Sequence, residues 1–156
     1  MVQNCLIMSK IIAWFSCGIT SAVACKIALQ TYKDVVLYYT DTGSQDEDSL
    51  RFLHDCEQWF GQKINIVRSK EYTNHFDVIE KKGLISKHNY YPCTFELKKR
   101  LRYQIEDELK YWDGQVWGFD ISETNRAQRM IAGYYNSDER FINRGEVTDI
   151  KIDREE

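Results

Sequence analysis

Apolar positions along the chain fall alternately into short unbroken runs and into stripes that repeat every three to four residues. "KIIAWF", Lys10–Phe15, is a compact run with paired isoleucines, the pattern of a strand covered on both faces. Thr20–Gln30 follows as a predicted helix, with Ala22, Ala24, Cys25, Ala28 and Leu29 at its packing positions. Gly18 between the two is expected to permit the tight turn. Val35–Tyr39 repeats the strand pattern and runs into an Asp-Thr-Gly loop at 41–43. Over Asp46–Phe60, Leu50, Leu53, Cys56 and Phe60 form a helical stripe, acids in the first turn suit the dipole, and Gly61 ends the helix. Lys63–Val67 predicts a third strand, and Phe76–Lys82 a short helix. The longest predicted helix is Phe95–Trp112, with Leu97, Leu101, Ile105, Leu109 and Trp112 on one stripe. Gln115–Phe119 predicts a fourth strand and Glu123–Tyr135 a last helix.

Strands that alternate with helices predict a mostly parallel sheet with helices on both faces. The fold expected is therefore a single three-layer α/β/α domain of Rossmann-like kind over residues 8–135. The polar, mixed segment 136–156 reads as a C-terminal extension in which no element is predicted. At 156 residues the chain has the size of one domain. In such folds a ligand binds beyond the carboxyl ends of the strands, where the strand order reverses, so the loops after Phe15, Tyr39 and Phe119 are the ones to inspect.

Composition narrows the classes. A net charge of -3 argues against nonspecific wrapping of nucleic acid, which depends on phosphate neutralisation. The 5 cysteines form no CxxC pair, which suits a reducing cytoplasm and offers neither zinc-finger spacing nor a disulfide framework. Residues 11–24 resemble the apolar part of an export signal, but Ser16, Gly18, Thr20 and Ser21 interrupt the run, and it is too short to span a membrane. The expected location is cytoplasmic, with no membrane partner. The oligomeric state stays open, a homo-oligomer included.

Three loops carry candidate chemistry. In "SCGITS", Ser16–Ser21, a strand feeds a helix through small residues, which leaves backbone N–H groups at the helix start for an anion, with Ser16, Thr20 and Ser21 adding hydroxyls. The alternative is a turn in which Thr20 or Ser21 only caps the helix. Asp41, at a strand's carboxyl end, could accept hydrogen bonds from a ligand or hold magnesium; an Asx turn with Gly43 is the other reading. In "CTFELKKRLR", Lys98, Lys99, Arg100 and Arg102 occupy the first half of a helix and Glu106, Asp107 and Glu108 the second. That order opposes the macrodipole at about 0.3–1 kcal/mol per charge, while pairs such as Arg102 with Glu106 recover only about 0.2–0.5 kcal/mol. A basic cluster placed against the dipole points to a bound anion, and Arg126 and Arg129 extend the same logic; a solvated face is the alternative.

The order "FSCGITS", "YTDTG", "CTFELKKRLR", "GFDISETNRAQR" resembles the phosphoadenosine phosphosulfate (PAPS) reductase family, within the adenine nucleotide alpha hydrolase-like group, and especially its short bacterial and phage members. The resemblance spans residues 10–130. It implies an adenine nucleotide, ATP or PAPS, with its phosphates on Ser16, Gly18, Thr20 and Ser21. It places Asp41 beside the adenosine, and Lys98, Arg126 and Arg129 at the phosphate or sulfate end. ATP cleavage between the alpha and beta phosphates, assisted by magnesium through Asp41, is one implied reaction. Sulfonucleotide reduction by Cys17 or Cys93 is another, with Cys17 expected to have a lowered pKa at the helix N-terminus. A binding module without catalysis is the third. The motif usually reads SGGxxS, so Cys17 stands in place of a glycine, and Ile19 stands where many relatives carry lysine. No cysteine follows Cys93, and the cysteine pattern of the iron-sulfur reductases is missing, so no such cluster is expected.

Overall fold

A computed structural model of the chain describes residues 7–88, 90–135 and 146–152. Strand β1 (Ile7–Phe15) leads into helix α1 (Ile19–Thr31), strand β2 (Tyr32–Asp41), helix α2 (Asp48–Phe60) and strand β3 (Asn65–Arg68). Helix α3 (His75–Lys82) is followed by a helical path made of α4 (Pro92–Thr94), a π-helical turn over Phe95–Lys99, and α5 (Arg100–Leu109). Strand β4 (Gly114–Asp120), a 3-10 turn over Ile121–Glu123, helix α6 (Thr124–Tyr135) and strand β5 (Glu146–Ile152) complete the order.

The strands form one sheet in the order β3-β2-β1-β4-β5, and every neighbouring pair is parallel. This is an α/β, Rossmann-like arrangement. β5 lies within the segment 136–156, for which the sequence predicts no element; it pairs along the whole of β4.

Alternation along β1 explains its unbroken apolar run. Ile11, Ala13 and Phe15 face a core shared with Ala22, Ala24, Cys25 and Ala28 of α1 and Leu53, Cys56 and Phe60 of α2. Ile12 and Trp14 face the opposite side, where Ile105 of α5 and Trp112 pack. Both faces are thus covered, as the paired isoleucines imply.

Several expected boundaries shift for local reasons. α2 begins at Asp48 rather than Asp46, because the Asp46 carboxylate accepts a hydrogen bond from Asp48 N at 2.9 Å and forms its own turn. Leu50, expected on the buried stripe, is 49% exposed. The long helix stops at Leu109, and Trp112 lies beyond it while still 1% exposed in the second core. Gly61 ends α2 in the left-handed conformation, φ 71°, as the sequence predicts.

Glu57 clamps the end of α2 to the start of β3. Its carboxylate accepts from Ile64 N at 2.9 Å and from Lys63 Nζ at 2.8 Å, with His54 at 3.3 Å. Burial opposes ionisation of this group, but Lys63, the Ile64 amide and His54 outweigh it and hold the carboxyl at about 2. A folded-state pKa below the unfolded one adds stability above the unfolded value and loses it as the pH falls through the folded one. The expected result is that Glu57→Gln narrows the stability gap between about pH 5 and pH 2, measured by urea unfolding.

Candidate functional site

The chain leaves β1 for β2 on one side of the sheet and reaches β4 on the other, so the strand order reverses between β1 and β4. A cavity of about 550 Å³ opens at that point. Trp14, Phe15 and Ser16 line it from β1 and its loop, Trp117, Gly118 and Phe119 from β4.

Gly118 brings the loop to the strand. A Cβ there would lie 2.4 Å from the Cα and N of Ser21 and 2.5 Å from the carbonyl carbon of Thr20. The first turn of α1 therefore rests directly on the β4 backbone, which a side chain would prevent. Thr20, 8% exposed, is used in that packing and does not line the cavity.

The loop itself is held by Ser21. Its Oγ accepts from Ser16 N at 3.0 Å, lies 3.1 Å from Ser16 Oγ and donates to Gly18 O at 2.8 Å. The tight turn is made by Cys17, with φ 57°, and Gly18 is extended at φ -111°. The expectation that Gly18 supplies the turn is therefore corrected by one residue. Cys17 occupies the left-handed region that favours glycine, which gives a steric reason for glycine in a motif of this shape. α1 starts with no side-chain cap and no acid in its first turn. Ser16 and Ser21 line the cavity beside this helix start, where amide groups and the dipole favour negative charge.

Cations complete the wall. Lys98, Lys99 and Arg102 come from the π turn and α5, and Arg126 and Arg129 from α6. A π turn changes the angle between successive residues, which turns both Lys98 and Lys99 toward the cavity. Among the described residues no carboxylate pairs with Lys98, Lys99 or Arg129, whereas Arg126 meets Glu123 at 2.6 Å. Arg100, one residue from the cavity cations, points elsewhere and pairs with Glu71 and Glu96. Aromatic rings carry two of the guanidinium groups: Arg102 lies 5.1 Å from the Trp117 centroid, Arg126 5.7 Å from that of Phe119.

Of the residues singled out in the sequence, the cavity unites Ser16, Ser21, Lys98, Lys99, Arg102, Arg126 and Arg129, and leaves out Gly18 and Thr20. Asp41 lies outside its lining. Its Oδ1 accepts from Gly43 N at 2.8 Å in an Asx turn and its Oδ2 lies 3.9 Å from Arg68. A magnesium ion would compete with both contacts, and among the described residues no group of three or more acids, histidines or cysteines is arranged to hold a metal. Asp41 would have to give up part of these contacts to hold a magnesium ion, and no step below goes through one.

Neither candidate cysteine lines the cavity. Cys17 Sγ donates to Ser49 O of α2 at 3.4 Å and packs on the core. Burial pushes its pKa up, only partly offset by Tyr39, which overturns the lowered value expected at a helix N-terminus. Cys93 Sγ lies 3.5 Å from His75 O and packs on the Tyr72, Val78 and Leu97 cluster. Because a raised pKa means less thiolate at neutral pH, Cys17 is expected to react with iodoacetamide more slowly than a free thiol at pH 7.5, the gap closing above about pH 9. Peptide mass spectrometry across pH measures this.

Sequence reasoning missed Gly118 and the aromatic floor of Trp14, Trp117 and Phe119. The signal available was the alternation "QVWGF", in which Gln115, Trp117 and Phe119 share one face and Gly118 the other. Among the described residues no helix is long and apolar enough to cross a membrane. No protein-family model matches the chain, and no curated protein does.

Proposed function

We propose that the protein binds an adenine nucleotide, ATP or PAPS, with its phosphate or sulfate groups in the cavity between β1 and β4. The observation that carries this reading is the convergence of the Ser16–Ser21 loop, at the start of α1, with Lys98, Lys99, Arg126 and Arg129 on one cavity at the strand-order reversal. Three of those cations have no carboxylate partner among the described residues, so an anion would supply the missing charge. The volume is within the range of small-molecule sites.

The chemistry best suited to this wall is displacement by water at the alpha phosphate of ATP: the water oxygen bonds to the alpha phosphorus as its bond to the bridging oxygen breaks, giving AMP and pyrophosphate, and the loop amides and the cations would stabilise the departing pyrophosphate. Thiol-based sulfonucleotide reduction has no support in the geometry, since Cys17 and Cys93 both point into packed regions. Binding without turnover remains the alternative, and the same assay separates the two.

Mass spectrometry of small molecules released from the purified protein, with thermal shifts for ATP, AMP, PAPS and adenylyl sulfate, tests the reading. A ligand that binds only the folded state stabilises it as RT ln(1 + [L]/Kd), so the ranking of shifts identifies the nucleotide. Release of AMP and pyrophosphate supports the reaction, a shift without turnover supports the binding module, and no shift with any of the four removes the nucleotide.

A further inference from the structure

A buried polar chain that begins on β1 and ends on α5 forms part of the cavity wall, which Trp14, Arg102 and Glu106 line. Trp14 Nε1 donates to Gln115 Oε1 at 2.8 Å, and Gln115 Nε2 donates to Glu106 Oε1 at 2.9 Å. The same Glu106 oxygen lies 3.4 Å from Arg102 Nε. Gln115 is 0% exposed and Glu106 3%, so both sit where an unpartnered polar group costs most. The chain has one sense only: an indole N–H can only donate, which turns the Gln115 oxygen to Trp14 and its amide nitrogen to the carboxylate. Arg102 is gripped from a second direction, lying over Trp117 at 5.1 Å and Tyr103 at 5.0 Å, with its side chain 12% exposed.

We propose that Arg102 is an oxyanion-binding residue of the cavity and that Glu106, Gln115 and Trp14 are positioning residues that aim its guanidinium. The group it receives is a tetrahedral oxyanion, phosphoryl or sulfuryl; the nucleotide reading above supplies the bearer of that group, and the inference rests on it to that extent. Its role differs from that of the other cations. Paired with Glu106, Arg102 adds no net charge, so it contributes directed N–H groups, whereas attraction at range comes from Lys98, Lys99 and Arg129. A lysine cannot replace it, because the planar fork and the contact with the ring are both lost.

The probes are ATP, inorganic pyrophosphate and sulfate, each titrated into wild type, Arg102→Ala, Arg102→Lys and Gln115→Met by calorimetry. Arg102→Ala is expected to weaken pyrophosphate and ATP by about tenfold or more, with Arg102→Lys recovering less than half of that on a logarithmic scale. Methylguanidinium, but not methylammonium, is expected to restore binding to Arg102→Ala by entering the slot over Trp117. Gln115→Met keeps the charges and removes both hydrogen bonds. It is expected to weaken binding and to collapse the Arg102 Nε–Hε resonance into fast exchange with water. If Gln115→Met does not fold, Glu106→Gln, which preserves shape, takes its place with the same resonance as readout. A loss below about threefold in Arg102→Ala, or a loss that methylguanidinium does not rescue, overturns the assignment. Arg102-dependent binding of pyrophosphate or sulfate by a protein that ignores ATP upholds it while removing the nucleotide. No binding of any probe by the wild type overturns both.

Discussion

Gly118→Ala is expected to destabilise the protein by about 3 kcal/mol or more. The new Cβ would meet Ser21 backbone atoms at 2.4 Å, where real contacts essentially never fall below 3.0 Å. No flexible side chain can yield, because the obstructing atoms belong to the first turn of α1. That turn cannot retreat cheaply either, since Ala22, Ala24, Cys25 and Ala28 anchor the same helix against the sheet. At about 2–4 °C per kcal/mol for a chain of this size, the melting temperature should fall by roughly 6–12 °C. Gly18→Ala is the control. Its Cβ would approach nothing nearer than Ser16 Oγ at 3.8 Å, and φ -111° is open to any residue, so a change below about 1 kcal/mol is expected. Calorimetric melting of both variants checks the pair, and a Gly118→Ala protein that melts with the wild type would refute the close approach of α1 to β4.

Replacing Lys98, Arg126 and Arg129 together by alanine is expected to abolish nucleotide binding while leaving the fold intact. Each charge-assisted hydrogen bond to a phosphate contributes about 1.5–3 kcal/mol, so three such losses lower affinity by at least about a thousandfold. All three residues are exposed, and among the described residues only Arg126 of the three gives up an ion pair, at the surface, where such pairs contribute about 0–1 kcal/mol. The apo melting temperature should therefore stay within a few degrees of wild type while the ligand-induced shift disappears. Arg100→Ala set beside Lys98→Ala alone separates site from bulk charge: each removes one positive charge from the same helical path, but Arg100 is partnered by Glu71 and Glu96, so its loss should hardly change nucleotide affinity. Equal losses in both proteins would assign binding to overall charge and refute the site.

The two variants mark how far the sequence could be read. Lys98, Arg126 and Arg129 were legible as candidates because charges set against a helix dipole or clustered after a strand ask for a partner. Gly118 was not, because its conformation is ordinary and its only demand is space for a turn that is distant in the chain. Arg100 and Arg102 look alike in "KKRLR", yet one pairs outward with Glu71 and Glu96 and the other joins a buried chain in the cavity wall. Asp41 illustrates the converse. Its place after β2 suggested a ligand, but an amide two residues on was nearer, and the Asx turn took it.

By itself the sequence determined the alternation of strands and helices, the double burial of β1, and the glycine that ends α2. Each follows from periodicity or backbone freedom, which are properties of neighbouring residues. Only the tertiary structure decided that β4 lies beside β1, that α1 rests on Gly118, that Cys17 takes the turn, and that β5 extends the sheet. Those outcomes depend on contacts between residues far apart in the chain, where packing density and the pairing of buried polar groups choose among arrangements that local pattern leaves equal.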